Sequence, residues 1–242
     1  MSNTDNGRRN LLKGSVAGAS LLALGGTAAF LAPSLTYAAS LSQSERDAMS
    51  PDDVISFLKK GNDRFVNNKP LNHDYKAQKR SSKDGQYPAA VILSCIDSRA
   101  PAEIILDTGI GDVFNSRVAG NVSNTDILGS MEFACAVAGA KVVLVLGHTK
   151  CGAVKGAVAN AKLGNLTSLL NKIKPAIGQT MYLGKRDADN YDFVDAVART
   201  NVMLTLNDIR KNSPTLEDLE KSGSIKLVGA MYDISTGKIE FI

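Results

Sequence analysis

Two apolar runs, Ala89-Ala-Val-Ile-Leu-Ser94 and Lys141-Val-Val-Leu-Val-Leu146, each end within two residues of a metal-ligating side chain. Cys95 follows the first run directly. His148 follows the second after one glycine, and Cys151 comes three residues later. Short continuous apolar runs read as strands buried on both faces, the habit of parallel sheets covered by helices. Strands alternating with helical patterns imply an α/β fold with a mostly parallel central sheet flanked by helices. In such a sheet, ligand sites form beyond the carboxyl ends of strands where the chain order reverses. Both halves of the Cys/His motif sit at that edge. Gly147 is expected to allow a tight turn there, and Gly152 with Ala153 to keep the next helix close.

Two thiolates and one imidazole make three protein ligands for zinc, the pattern of a catalytic site with one position left for water. The spacing of His148 and Cys151 lets both reach one ion from a single turn. Asp97 and Arg99 follow Cys95 closely enough to orient whatever fills the open position. The chain has three cysteines and two histidines, so the motif uses most of them. The competing reading is a pair of buried structural cysteines near an unrelated histidine. Cys135, within Met131-Glu-Phe-Ala-Cys-Ala-Val-Ala, reads as a small core residue. His73, within Leu71-Asn-His-Asp, reads as a surface-loop histidine rather than a proton shuttle.

The first 38 residues read as an address. Arg8-Arg9 stands in the context Asn6-Gly-Arg-Arg-Asn-Leu-Leu-Lys13, followed by an uncharged run rich in Ala, Gly and Leu, then Pro33. This is the form of a twin-arginine (Tat) export signal, with cleavage expected after Ala38. The mature chain, 39–242, is expected to be a single domain, exported to the periplasm of a bacterium and free of the membrane. A retained anchor is the alternative, since the run nearly reaches spanning length. The Tat route carries folded proteins, so a metal could be loaded before export and protect the thiols outside. Of 28 basic and 24 acidic residues, three and one fall in the leader, leaving a net charge of +2. That balance gives no case for nucleic acid. The basic run Lys76-Ala-Gln-Lys-Arg80 reads as solvated surface.

The remaining pattern places a helix over 51–66, opened by Pro51 and two acidic residues. Further strands are expected over Asp112–Val118, Ser224–Asp233 and Lys238–Ile242. Helices are expected over Asp126–Ala138, capped near Asn124 or Thr125, over Cys151–Ala161, and through most of 166–211.

From about residue 51 onward the chain resembles the beta-class carbonic anhydrases. The residues that carry the likeness are Gly61-Asn62 with Arg64-Phe65, Gln86 with Pro88, Cys95-Ile-Asp-Ser-Arg99 and Pro101. Gly111-Asp112, Phe114, Arg117, Ala119-Gly-Asn121, Ser130 with Glu132, Gly147-His-x-x-Cys-Gly-Ala153 and Tyr232-Asp-Ile-x-Thr-Gly237 extend it. The resemblance implies one Zn2+ per chain on Cys95, His148 and Cys151, with water or hydroxide in the fourth place. It implies reversible hydration of CO2 to bicarbonate and a proton. Asp97 would orient the zinc-bound solvent and Arg99 would hold Asp97 ionised and off the metal; in a closed state Asp97 would itself be the fourth ligand. Gln86, Phe114, Ala119 and Gly152 would line the substrate cleft, which in relatives lies at a dimer interface. A homodimer or tetramer follows, with an N-terminal helical arm, the helix over 51–66, crossing the partner. Relatives with a bicarbonate-controlled closed form carry tryptophan where this chain has Ile92, so an open site is expected, although Arg117 matches an arginine of that pocket. Two rivals remain: hydrolysis of carbonyl sulfide or carbon disulfide by the same ligands, and a non-enzymatic zinc or thiol-switch protein.

Overall fold

The computed structural model describes residues 36–242, so the twin-arginine motif and its apolar run lie outside the described residues. Strands β1 (Thr36–Tyr37) and β2 (Asn72–His73) form a short parallel pair; α1 (Gln43–Ala48) and α2 (Pro51–Val66) lie between them and α3 (Tyr75–Ser81) follows. The main sheet contains β3 (Ala90–Ser94), β4 (Val113–Arg117), β5 (Val142–His148), β6 (Lys226–Tyr232) and β7 (Ile239–Phe241). Helix α4 (Ala102–Ile105) links β3 to β4. Helix α5 (Thr125–Glu132), which widens into a π turn over Phe133–Val137, links β4 to β5. Helices α6 (Gly152–Val158), α7 (Gly164–Gln179), α8 (Tyr191–Asn212) and α9 (Pro214–Lys221) separate β5 from β6.

Strand order is β4-β3-β5-β6-β7, parallel except for the last strand, which runs antiparallel to β6. Every residue of β3 and β5 is buried, and side chains alternate between two apolar layers as strand geometry requires. Val91, Leu93, Val143 and Val145 face Ile173, Phe193, Val197 and Val202 of α7 and α8. Ala90, Ile92, Val142 and Leu144 face Val54 and Leu58 of α2, Ile105 of α4 and Leu106, which caps α4. Helix α2 starts where its sequence says it should. Ser50 caps it, Asp53 returns the hydrogen bond, and Pro51 opens the first turn. Its apolar stripe, with Val54 and Leu58 fully buried, lies on its own sheet. The helix expected to form the arm is therefore held by its own chain along that face.

The folded body begins before Ala38, the expected cleavage point. Tyr37 donates its hydroxyl to Asp112 Oδ2 at 3.0 Å, and its carbonyl accepts from Gln78 Nε2 at 2.8 Å. Among the described residues no helix is long and apolar enough to cross a membrane.

Gly147 has a different reason from the one its sequence position suggests. It lies inside β5, in register with Met231, and a Cβ there would come 2.6 Å from Val202 Cγ2 and 2.8 Å from Met231 Sδ. Close packing of α8 on the sheet, rather than a turn, excludes a side chain. Gly147→Ala is expected to destabilise the fold by about 1–3 kcal/mol through overpacking. Val202→Ala in the same chain should recover part of that loss, because it vacates the space. Denaturant melts of the two single variants and the double variant check this; additive losses would refute it.

Candidate metal centre

The site forms where β3 and β5 end side by side, with Ser94 in register with Leu146. Cys95 leaves β3, His148 closes β5, and Cys151 precedes α6. All three are buried, at 4%, 1% and 1% exposure, and their ligand atoms lie within 4.8 Å of one another. The two sulfurs are 4.0 Å apart; two thiolates on a tetrahedral zinc at about 2.3 Å would stand about 3.8 Å apart. His148 Nδ1–H donates to the Thr149 carbonyl at 2.9 Å, which fixes the ring and the tautomer. That leaves His148 Nε2 buried with no partner. An orphaned imidazole nitrogen beside two sulfurs is a donor set that fits a zinc ion.

Electrostatics favour a cation there. Cys95 is held well below the usual thiol range by its contact with the Cys151 thiol, against burial, with help from His148 and the Gly120 N–H. Cys151 is pushed up by that same contact and by burial, since two thiolates this close cannot both ionise uncompensated. Burial works against a charge on His148, but the Cys95 contacts outweigh it and raise the ring's pKa. The cluster thus holds a proton that a metal would displace, because ligating thiols and imidazoles must be deprotonated.

Asp97 and Arg99 form a forked pair beside the cluster. Arg99 donates Nε to Oδ1 at 2.9 Å and Nη2 to Oδ2 at 2.8 Å, and its backbone N–H also reaches Oδ1 at 2.9 Å. These bonds hold Asp97 down to about 2, so it stays ionised at neutral pH. Its Oδ2 lies 3.8 Å from His148 Nε2, at the edge of the cluster.

The other expected residues are dispersed. Ala119 opens a 3-10 turn next to Gly120, whose N–H donates to Cys95 Sγ at 3.3 Å. Phe114 lies on β4 against Phe133, in a cleft of about 560 Å³ shared with Val91, Gly129 and Ser130. Gly152 is exposed and a Cβ there would meet nothing within 4 Å, so packing within the described chain does not require it. Gln86 is exposed and precedes β3, at the end opposite Cys95. The five residues of β3 alone span about 16 Å, and within one chain the two do not meet.

His73 is not a surface histidine. Its side chain is 7% exposed, with Nε2 2.9 Å from Asp107 and Nδ1 3.1 Å from Gln78. Docking of β1 covers a loop whose sequence looks solvated. Cys135 is buried as expected, and burial pushes its thiol up to about 12. Two functional contacts escaped the sequence reading. Arg117 donates to the carbonyls of Cys95, at 2.9 Å, and Asp97, at 2.6 Å, and Gly120, at φ +70°, aims its N–H at sulfur. Both residues belong to the resemblance, but a charged residue ending a strand and a glycine three residues beyond it give no local sign of these contacts.

The sequence model of the family described as carbonic anhydrase matches residues 90–239. Carbonic anhydrase 2 of Mycobacterium tuberculosis is 36% identical over 183 residues, 75% of this chain and 87% of the relative. A carbonic anhydrase of Mycolicibacterium smegmatis is 34% identical, over 76% and 89%. Among solved structures, a beta-carbonic anhydrase of Aspergillus fumigatus superposes with TM-score 0.59 at 31% identity, covering 67% of this chain and 79% of that one. One of two enzymes described as tetrameric beta-carbonic anhydrases, from Sordaria macrospora, superposes with TM-score 0.59 at 28% identity, over 66% and 83%. With its three-ligand cluster at the switch point of a parallel sheet, this chain belongs to the beta class of the carbonic anhydrase family.

Proposed function

We propose that the chain catalyses the zinc-dependent, reversible hydration of CO2 to bicarbonate and a proton. The observation that carries this reading is the buried Cys95–His148–Cys151 cluster with Asp97 and Arg99 poised beside it. Cys95, His148 and Cys151 would hold the ion, which when bound supplies a Lewis acid able to make water nucleophilic near neutral pH. The protein's own part is orientation. Asp97 Oδ2, an ionised acceptor, takes a hydrogen bond from the attacking water and directs its lone pair toward the carbon. Arg99 keeps that carboxylate charged and turned, through a forked pair whose geometry a lysine could not reproduce. The proton released passes to solvent at the exposed mouth, where the Arg99 side chain is 51% exposed. A storage or thiol-switch site has no use for such an orienting pair.

Gln86 enters this reading through a second copy. Since β3 separates it from Cys95 in its own chain, we propose that it donates to substrate in the partner's site, in a dimer or a higher assembly. Phe114, Ala119 and Gly152 would line the same cleft. The leader is part of the proposal too: Arg8-Arg9 and the apolar run behind them support export through the twin-arginine route.

Three outcomes are expected. Stopped-flow hydration by the purified chain should track zinc content up to about one ion per chain, the stoichiometry of a three-ligand site, and chelation should abolish it. A zinc-loaded chain inert toward CO2 but active on carbonyl sulfide would overturn the substrate. Arg99→Ala should lower kcat by about 10²-fold, the scale of losing one preorganised donor, while zinc stays bound; full activity would sink the role of the pair. Finally, mixing Gln86→Ala chains with Cys95→Ser chains and allowing them to re-associate should raise activity above that of either alone. Each hybrid then contains one site with intact ligands and an intact glutamine. Absence of recovery would place Gln86 outside the partner's site.

A further inference from the structure

The turn that carries His148 and Cys151 passes through a residue in a demanding conformation. Lys150 has φ +54°, in the left-handed region that side-chain-bearing residues adopt only when the surroundings hold them there. What holds it is helix α8. The Lys150 N–H donates to Asp195 Oδ1 at 2.6 Å, while on the other side the Lys150 carbonyl accepts from Arg99 Nη2 at 3.4 Å. Asp195 is half-buried and forms no ion pair among the described residues. Burial raises its pKa, with the Lys150 N–H the largest contact favouring its charge.

Six residues further along α8, Asn201 makes a matching contact with the other half of the site. It is 3% exposed, and its Nδ2 donates to the Gly120 carbonyl at 2.8 Å. Gly120 in turn donates its N–H to Cys95 Sγ. Six residues rise about 9 Å along a helix, and α8 is fixed to the sheet by Val197 and Val202, both fully buried. One rigid element therefore grips both the turn that bears His148 and Cys151 and the Gly120 turn that bonds Cys95.

We infer that Asp195 and Asn201 are positioning residues of the metal centre: Asp195 holds the His148–Cys151 turn through the Lys150 peptide, and Asn201 holds Gly120 so that its N–H meets Cys95. The inference rests on the zinc reading above but not on CO2 as substrate. Neither residue touches the ligand atoms. Each acts through one backbone group, as supporting contacts to metal ligands generally do.

The test uses the full chain loaded with cobalt(II) for spectroscopy and with zinc for release into a chelating indicator. Asp195→Ala and Asn201→Ala should each shift the ligand-field and thiolate-to-cobalt bands and release zinc ten- to a hundredfold faster, the scale of supporting-contact loss. Asp195→Asn keeps an oxygen acceptor of the same length and should stay within about threefold of the parent. Adding Lys150→Gly to Asp195→Ala should recover much of the loss, because glycine takes positive φ without help. A generic loss of stability would produce neither the rescue by asparagine nor the recovery by glycine. Alanine variants with the parent's spectra and release rates would overturn the inference. Should Asp195→Ala fail to fold, Asn201→Ala decides by the same two readings. The readings need no CO2, so failure of the hydration proposal leaves them decisive; a parent chain that takes up neither metal overturns both.

Discussion

The site depends on one constraint, the pairing of β3 with β5 in parallel register. Their neighbours lie on opposite sides, β4 beyond β3 and β6 beyond β5. The loops after the two strands therefore diverge and leave a crevice between their carboxyl ends. Because both strands are buried on both faces, that crevice opens from an apolar interior, where charge interactions are stronger than in water. Cys95 reaches it from one side and His148 with Cys151 from the other. A one-residue slip would turn every strand side chain to the opposite layer. Leu93 and Ile92 would exchange cores, and the cluster could not form while either layer stayed packed.

Burying two sulfurs and an imidazole is costly unless each atom finds a partner. The chain supplies all but one: Gly120 N–H for Cys95, the Thr149 carbonyl for His148 Nδ1, and the sulfurs for each other. The remaining atom, His148 Nε2, faces the cluster. Asp97 and Arg99 form a second, wetter layer. Their pair is partly exposed, so it contributes little to stability, and its value lies in direction. A carboxylate with three donors on it cannot rotate freely. Arg117 extends the control to the backbone of the same segment, since it binds the carbonyls of Cys95 and Asp97 at once.

What was legible in the sequence follows from how local its causes are. The residues at 89–93 and 142–146 declare buried strands because burial on both faces leaves no polar residue among them. Ser50, Pro51 and Asp53 declare the start of α2 because a helix cap is made within four residues. Cys95, His148 and Cys151 are legible because the chain has only one other cysteine and one other histidine. The misreadings share the opposite cause. Gly147 resembles turn punctuation until Val202 and Met231, far along the chain, are seen to fill its side-chain space. His73 resembles a loop residue until Asp107 and Gln78 close on it. The β1–β2 pair and helices α3, α4 and α9 carry too short a pattern to stand out. Asp195 and Asn201 bond to backbone groups 45 and 81 residues away, and backbone groups leave no mark in a sequence.

Some of the chain's left-handed backbone lies where those long-range contacts act. Gly120, Asn121 and Lys150 all have positive φ, at +70°, +45° and +54°. For the two with side chains that conformation costs about 1–2 kcal/mol each. A chain free to relax would spend the same residues in ordinary turns, and the ligand atoms would splay. The fold opposes this with contacts that do not involve the metal: the Gly120 carbonyl is bonded by Asn201, Asn121 is buried at 2% exposure, and the Lys150 peptide is bonded on both sides. The protein, rather than the ion, thus bears the cost of arranging the ligands. An ion that meets ligands already arranged loses little affinity to ordering them, and it leaves the oriented carboxylate of Asp97 in place beside it. Preorganisation of this kind is what turns a binding cluster into a site able to direct an attack, and here it originates in the packing of α8 against β5.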